Sequence, residues 1–345
     1  MTHCMKATAK ACAILAGSIV ASHAQDSSNY WNHFTFSPRA AFNIGAKFMD
    51  IGTLSLSPTR KTPNGNTYNY DNGYVLTDVS GNAGGQTWYW GYDSSSQISG
   101  NSIQMSRSVA QSSGTVTAGQ DFHDASFGAD LSYSHRMGTI AGADFGVLAA
   151  ASYLYVSLKD SSSLQGDVVQ VTDSFSFASG TTPPAAPYQG TFNGPGYVIG
   201  ATPSSTSSTV LPGAATITGQ RQLQAHVIGL RLGPSVELPL EQNLGVVLSA
   251  GLATGLVHSG ASWSETISVA GGPTVSGSGS GNKFDFLYGG YLSAGLSWHV
   301  NQRWNVEASA QYQNLGYARE NLGGRTVELD LHRSLSVALG AGFSF

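Results

Sequence analysis

The chain has 345 residues, of which 10% are charged and 43 are glycine. A soluble domain usually carries about 25% charged residues, and the formal net charge of -4 excludes nucleic acid as an obvious partner. The polarity comes from Ser, Thr, Asn, Gln and Gly, most of which are poor helix formers. The composition therefore favours strands and turns.

The first 24 residues have the three parts of a secretory signal peptide. Lys6 and Lys10 give a positive start, an apolar run follows, and Ser22-His23-Ala24 supplies small residues at the cleavage site. The apolar run is shorter than the roughly 20 residues that a spanning helix needs. We predict cleavage after Ala24, which leaves residues 25–33 as a periplasmic N-terminal segment.

Both cysteines, Cys4 and Cys12, lie in the predicted signal peptide. The mature form is therefore expected to have no disulfide, no cysteine nucleophile and no thiolate metal site.

Apolar and polar residues alternate with period two over unusually long runs. Every even residue from Phe34 to Phe48 is apolar, and the same holds from Phe284 to Val300. Shorter alternating runs lie near 125–133, 228–238, 244–256, 304–313 and 329–345, and a further run at 144–158 is blurred by Leu148, Leu154, Val156 and Leu158. Soluble strands usually have about 5 to 6 residues, so these longer runs predict membrane-spanning strands.

Aromatic residues stand at the ends of several runs, as they do at membrane interfaces. Trp298, Trp304 and Phe343 are predicted to lie at the lipid interface. Arg333 lies two positions before Leu335, at the opposite end of the last strand from Phe345, and is predicted to lie at the outer-leaflet interface. There its guanidinium can extend to the phosphate groups of the outer leaflet.

The segments between the runs are alternately short and long. Residues 137–143, 239–243 and 301–303 are predicted turns, whereas 49–121, 159–221, 259–283 and 316–326 are predicted loops. Short periplasmic turns and long extracellular loops are typical of outer-membrane barrels. We predict an all-β fold, an antiparallel transmembrane β-barrel over residues 34–345 in the cell outer membrane. Eight strands fit best, and ten is the alternative, because 88–92 and 168–171 could form extra strands.

The C-terminal run resembles that of the small outer-membrane barrels related to the OmpA transmembrane domain and OmpX. Apolar residues alternate up to a terminal phenylalanine, at Leu335, Val337, Leu339, Ala341, Phe343 and Phe345. The resemblance implies that Phe345 serves as the C-terminal assembly signal for the barrel-assembly machinery. Outer-membrane lipid and lipopolysaccharide are further expected partners of such a barrel.

Charged residues on the polar face are expected to point into the lumen. Those selected as an ion-pair network are Arg39, Asp130, Arg231, Glu237 and Glu307. Isolated charges inside an apolar shell are costly unless they are paired. An eight-stranded barrel has room for little beyond its own side chains. A bracing role is therefore favoured over a gate or an ion path.

Two weak patterns suggest catalysis. His332 and Ser334 resemble the histidine and serine of the lipid A deacylase PagL, but their register is inward, whereas that enzyme acts on lipid. His123-Asp124 resembles the omptin proteases, without a second carboxylate pair. Metal and nucleotide motifs are absent, and Gly277–Gly281 is interpreted as a flexible loop tip. We expect no catalytic residue, no cofactor and no metal.

The first long loop contains the aromatic cluster Trp88, Tyr89, Trp90 and Tyr92. It could be a recognition surface for an extracellular ligand or an aromatic belt on extended strands. The sequence thus predicts a non-enzymatic barrel with a structural or surface-interaction role. The alternatives are a narrow porin-like channel and, less favoured, a lipid-A-modifying hydrolase.

Overall fold

The computed structural model describes residues 31–52, 54–56, 65–77, 84–111, 114–119, 125–269, 274–322 and 324–345. The predicted signal peptide and His123-Asp124 lie outside these ranges. No helix in the described ranges is long and apolar enough to cross a membrane.

Apart from one short 3-10 helix at Ser95–Gln97, the regular elements of the described residues are strands. In chain order they are β1 (Asn32–Phe42), β2 (Gly45–Met49), β3 (Leu54–Ser55), β4 (Thr67–Tyr70), β5 (Gly73–Leu76), β6 (Gln86–Thr87), β7 (Trp90–Tyr92), β8 (Ile98–Ser99), β9 (Ser102–Gln111), β10 (Val116–Gly119), β11 (Ser126–Ile140), β12 (Ala143–Asp160), β13 (Leu164–Ser176), β14 (Tyr188–Gln189), β15 (Ile199–Gly200), β16 (Ser205–Glu241), β17 (Leu244–Val269), β18 (Thr274–His299), β19 (Trp304–Asn314), β20 (Tyr317–Leu322), β21 (Arg325–Asp330) and β22 (Ser334–Ser344).

Eight antiparallel strands form a closed ring. They follow the order β12-β11-β1-β22-β19-β18-β17-β16, and pairing of β16 with β12 closes the ring. The prediction of an eight-stranded β-barrel is confirmed. The ten-strand alternative is wrong: β7 and β13 do occur in the two long loops, but β13 pairs with β9 and the upper part of β16, outside the ring.

The two faces of the barrel wall differ as the alternation predicts. On β17, Leu252 is 72% exposed, whereas its neighbour Ala253 is 1% exposed. The same outward apolar row includes Phe127, Leu232, Phe286 and Leu292, all more than half exposed. An exposed apolar patch of this size marks a surface that lipid or a partner covers. The alternation therefore wraps the barrel in an apolar belt.

Several strands continue far beyond any membrane. β16 has 37 residues, and β17 and β18 have 26 each, whereas a tilted strand crosses the bilayer in about 9–11. Most of the predicted loops 159–221 and 259–283 is therefore strand, because backbone pairing between β16, β17 and β18 continues above the lipid.

The predicted flexible tip Gly277–Gly281 is part of β18. Side chains of the protein interior pack directly against its glycines. A Cβ atom at Gly279 would lie 2.6 Å from Nε1 of Trp263, which shows why this position is small. The Gly-Ser alternation thus places glycine against the core and serine toward solvent. The composition is that of a flexible loop, but the segment is a strand paired with β17.

On the opposite side, the wall breaks. Strands β2, β21 and β20 continue β1, β22 and β19 in the same order, after breaks at Asn43 (φ 57°), at the turn His332–Arg333 and at Gly316 (φ 81°). With β10 they form a separate four-stranded sheet, here named the cap sheet. The predicted continuous strand 34–48 is therefore two strands.

The break reverses the faces. Phe36 on β1 is 59% exposed on the lipid side, whereas Phe48 on β2 is buried. Lys47, expected on the polar inner face, instead pairs with Glu328 of the cap sheet at 3.3 Å. The even positions are apolar on both sides of the break, because those of β1 face lipid and those of β2 face the protein core.

An apolar core fills the space between the cap sheet and the inner faces of the opposite wall. The cap-sheet side includes Ala46, Phe48, Leu322, Val327 and Leu329, and the wall side includes Leu154, Val156, Leu158, Leu223, Val227, Ala253, Val257 and Trp263. This core explains the blurred alternation at 144–158. The inward positions there are apolar because they face the core rather than water.

The first two long connections form a second apolar cluster outside the barrel, here named the head. It joins β4, β5, β7, β9, β13 and β14, and its buried residues are Tyr70, Val75, Trp90, Tyr92, Ile103, Met105, Phe175, Phe177 and Ile199. Trp90 is 0% exposed and Tyr92 is 1% exposed. Of the aromatic cluster in the first loop, these two residues are therefore core, neither a recognition surface nor a membrane belt.

Candidate functional site

A layer of charge crosses the middle of the lumen. Asp130 Oδ2 lies 3.4 Å from Nη1 of Arg39 and 2.5 Å from Nη2 of Arg231. Arg39 also donates to Ser336 Oγ at 2.9 Å, and Arg231 donates to Gln311. All five side chains belong to buried residues on inward positions of β1, β11, β16, β19 and β22. The carboxylate thus links β11 to β1 and β16, and Arg231 extends the contacts across the lumen to β19. We call this set the lumen layer.

Apolar groups close the lumen above this layer. The Arg231 guanidinium lies 5.3 Å from the ring centroid of Tyr291, which belongs to the apolar core. Leu315 fills the next level, where a Cβ atom on Gly255 would lie 2.9 Å from its Cδ1. The small residue at 255 therefore makes room for a large one across the lumen.

Glu237 and Glu307 occupy a different level. Both line a cavity of about 160 Å³ near the periplasmic turns. Glu237 Oε1 lies 3.6 Å from Nε2 of His299. The predicted single network is thereby divided, because Glu237 lies six positions from Arg231 on one strand, or about 20 Å. Glu307 also lines the small cavity of about 40 Å³ beside the lumen layer.

A second carboxylate with two arginines lies above the membrane. Glu265 accepts from Nε of Arg221 at 3.0 Å, from Nη2 of Arg325 at 3.0 Å and from the backbone N–H of Gly52 at 3.1 Å. Arg221 also donates to Asp160 at 2.7 Å. Glu265, Arg221, Arg325 and Asp160 are here named the clasp. It joins the barrel wall to β21 of the cap sheet and to the chain after β2.

The clasp was not predicted from the sequence. Arg221 and Glu265 each lie at the odd, inward positions that continue β16 and β17 upward. That register was the available signal, but the predicted runs ended at residues 228 and 256. Both residues were placed in loops because the strands were assumed to end at the membrane surface.

The head has its own buried carboxylate. Asp173 accepts from Tyr70 Oη at 2.8 Å and from Thr206 Oγ1 at 2.6 Å, and it lies 3.6 Å from Nη2 of Arg107. Burial and the hydrogen bond to Asp173 raise the pKa of Tyr70. Tyr70 therefore remains a hydrogen-bond donor, which ties β4 to β13 at neutral pH.

The predicted lipid-interface residues lie on the outer face of the barrel. Trp298 is 50% exposed and Trp304 is 51% exposed, and the Trp304 ring lies 5.1 Å from Phe343. Phe345 stacks on Phe34 at 5.6 Å. Arg333 is exposed in the turn before β22, and its backbone carbonyl accepts from Asn43 Nδ2 at 2.7 Å.

The His332 and Ser334 side chains have other partners. Ser334 Oγ is buried and donates to the backbone carbonyl of Gln313 at 3.1 Å. The His332 ring stacks on Tyr317 with 5.6 Å between centroids. The Ser334 hydroxyl therefore donates to a backbone carbonyl rather than to the His332 ring. In the described part of the chain, no three His, Cys, Asp or Glu side chains are grouped to hold a metal ion.

No protein-family model and no curated protein matches the chain. Solved structures similar to it include Ail, the attachment invasion locus protein of Yersinia pestis, in complex with a heparin analogue (10% identity, 91% of this chain and 99% of that chain, TM-score 0.27). Another is the outer membrane protein OprG of Pseudomonas aeruginosa (9%, 93% and 99%, TM-score 0.35). A third is Neisserial surface protein A (10%, 90% and 97%, TM-score 0.29). At these TM-scores the likeness carries no argument about function.

The assignment of compartment follows from the chain's own architecture. A sheet that spans the membrane must close on itself, because lipid offers no hydrogen-bond partner to the backbone groups of an open edge. A ring of eight antiparallel strands, short turns at one end, a polar lower lumen and an exposed apolar belt meet that requirement. The chain is a β-barrel protein of the bacterial outer membrane.

Proposed function

We propose that this chain is a non-enzymatic barrel, similar in kind to the OmpA transmembrane domain and OmpX, that holds a folded head at the cell surface for a structural or surface-interaction role. The closed lumen is the observation that supports this proposal best. The lumen layer fills one level, and the apolar core fills the level above it.

The narrow porin-like channel remains the rival. A conducting path needs a continuous wet passage, and the cavity beside the lumen layer measures only about 40 Å³. That volume suits one or a few waters rather than a hydrated solute. Above it, Tyr291 and Leu315 are each 5% exposed. A static bracing role for the charges fits these dimensions.

The head supports the surface-interaction part of the proposal. Its aromatic core and the Asp173 contacts fix its backbone before any ligand arrives, and such preorganisation lowers the entropic cost of binding. Phe192 is 41% exposed and Tyr197 is 45% exposed on its outside. Exposed aromatic side chains are favoured contact residues, so an extracellular ligand of the head is part of the proposal.

Planar-bilayer recording tests the proposal against the channel. The purified full-length chain should give no discrete conductance steps, while a known porin at the same protein concentration conducts in the same bilayers. Reproducible single-channel steps from the wild-type chain would overturn the proposal.

The hydrolase alternative is tested separately. Lipid A from cells expressing the chain should have the same mass spectrum as lipid A from cells expressing the Ser334→Ala variant. Loss of an acyl chain only with wild-type protein would establish an enzyme.

A further inference from the structure

Four rings form a row across the outer face of the barrel. Tyr155, His226, His258 and Phe284 are direct pairing partners on β12, β16, β17 and β18. Their ring centroids lie 5.2, 6.4 and 4.2 Å apart in turn. Tyr153 Oη lies 2.7 Å from Nδ1 of His226 and forms a hydrogen bond with it. These four rings are here named the ring row.

The ring row lies at the height of the outer-leaflet headgroups. Trp298 marks the periplasmic end of β18, and Phe284 lies fourteen positions further along the strand. That distance is about 46 Å along the strand, or roughly 33 Å along the membrane normal at a tilt near 45°. The apolar belt of such barrels is about 25 Å tall, so the ring row lies above the hydrocarbon.

Side-chain chemistry changes across the ring row. Just below it, the outward residues are Ile228, Leu256 and Phe286. Above it, the outward positions of the same four strands carry hydroxyl, amide and ammonium groups, apart from Gly260, and no carboxylate over the next two to four positions. The polar residues are Ser157, Lys159, Gln224, Gln222, Gln220, Thr218, Ser262, Ser264, Thr266, Asn282, Ser280, Ser278 and Ser276. The surface is therefore rich in donors within a chain of net charge -4.

The imidazoles can donate outward. Nδ1 of His226 is held by Tyr153, which leaves Nε2 for another partner. Nδ1 of His258 is buried with no partner among the described residues. Because a proton there would be an unpaired donor, the ring proton belongs on Nε2.

We propose that the ring row and the donor-rich positions above it bind a phosphorylated glycolipid of the outer leaflet. Nε2–H of His226 and His258 and the ammonium of Lys159 bind a phosphate group, since charge-assisted hydrogen bonds to phosphate are the strong ones. Gln222 and Gln224 bind the sugar hydroxyls. The site rests on the outer face of the barrel alone, so it stands whether or not the head has a ligand.

Native mass spectrometry of the full-length chain in detergent, with added bisphosphorylated or dephosphorylated lipid A, tests the site. The double variant His226→Phe, His258→Phe keeps the rings and removes the donors. It should hold the bisphosphorylated lipid at least about tenfold more weakly than wild type. Its affinity for the dephosphorylated lipid should equal that of wild type.

Two further variants sharpen the result. Lys159→Met leaves the rings untouched and should also weaken binding of the bisphosphorylated lipid. Tyr288→Phe removes a hydroxyl from the same outer face below the ring row, where Tyr288 is 80% exposed, and should change nothing. Equal affinity of wild type for both lipids, or unchanged binding by the double variant, would mean non-selective boundary lipid only and would overturn the proposal.

Discussion

Two carboxylates in this molecule each bridge two arginines, yet they join different things. Asp130 in the lumen layer bridges Arg39 and Arg231, whose strands the closed ring already holds. Glu265 in the clasp bridges Arg221 of the wall and Arg325 of the cap sheet, which belong to different sheets. The same chemistry therefore braces a closed sheet in one place and fastens a separate sheet in the other.

The largest effect is expected at the clasp. Glu265→Ala removes the carboxylate that the buried Arg221 and Arg325 share. Arg221 keeps Asp160, but the link between the wall and the cap sheet is lost, which should cost about 3–5 kcal/mol. The cost should appear as opening of the cap sheet, measured by native-state proteolysis. The matched control is Glu241→Ala, at an exposed acid by a periplasmic turn. Equal resistance of wild type and Glu265→Ala to proteolysis would refute the fastening role.

Asp130→Ala should act on the barrel instead. Arg39 and Arg231 keep hydrogen bonds to Ser336 and Gln311. The loss in free energy of unfolding should therefore lie near the lower end of the range for a broken buried ion pair, at about 3 kcal/mol. The folded band on unboiled gels should convert to the unfolded band at a lower temperature. Asp144→Ala is the control, because its pair with Arg136 is partly exposed and worth about 0–1 kcal/mol. A conversion temperature equal to that of wild type would contradict the bracing role.

The packing of the upper wall predicts a smaller effect. Gly279→Val places a side chain against Trp263, and overpacking of this kind costs about 1–3 kcal/mol. Gly138→Val is the matched control, since nothing lies within 4 Å of a Cβ atom there. Thermal unfolding should separate the two variants. If both were equally stable, residues 277–281 would be the loop tip that their composition suggests.

The smallest effect concerns pH. Burial alone would raise the pKa of Glu328, but hydrogen bonds and ion pairs with Arg319 and Lys47 outweigh it and hold the pKa below its ordinary value. A carboxyl with a lowered folded pKa stabilises the protein above its unfolded pKa, and the contribution disappears as pH falls through the folded pKa. The cap sheet should therefore weaken below about pH 4.5, by less than about 1 kcal/mol, since Arg319 is largely exposed.

Glu328→Gln should lower stability at neutral pH and flatten this dependence. Proteolysis of wild type and variant between pH 3 and 7 measures it. Parallel pH profiles would show that Glu328 has no part in the acid sensitivity.

Much of the barrel could be predicted from the sequence because lipid imposes period-two alternation along each strand. Leu252 and Ala253 follow that rule directly. The breaks at Asn43 and Gly316 could not be predicted in this way, because Phe36 in lipid and Phe48 in the protein core are both apolar. Alternation reports whether a position is apolar and not which apolar surroundings it meets.

The charged sites were predictable in the same partial way. The inward register selected Arg39, Asp130 and Arg231, but the stagger between strands decides which charges meet. That stagger placed Glu237 beside His299, and it left Glu307 lining the cavity next to the two arginines without a described ion pair to either. Predicting the clasp requires the knowledge that β16 and β17 stay paired above the membrane. The Ser- and Gly-rich composition of that region indicated loops instead.

Hydrogen exchange of the full-length chain, with Glu265→Ala and Asp130→Ala measured beside wild type, tests the central comparison most directly. We predict that Glu265→Ala speeds exchange in the cap sheet, at 45–49, 317–322 and 325–330, while the barrel strands stay protected. Asp130→Ala should speed exchange in β1, β11 and β16 instead. If both variants loosened the same amides, the clasp and the lumen layer would stabilise one cooperative unit, and the distinction drawn between them would be wrong.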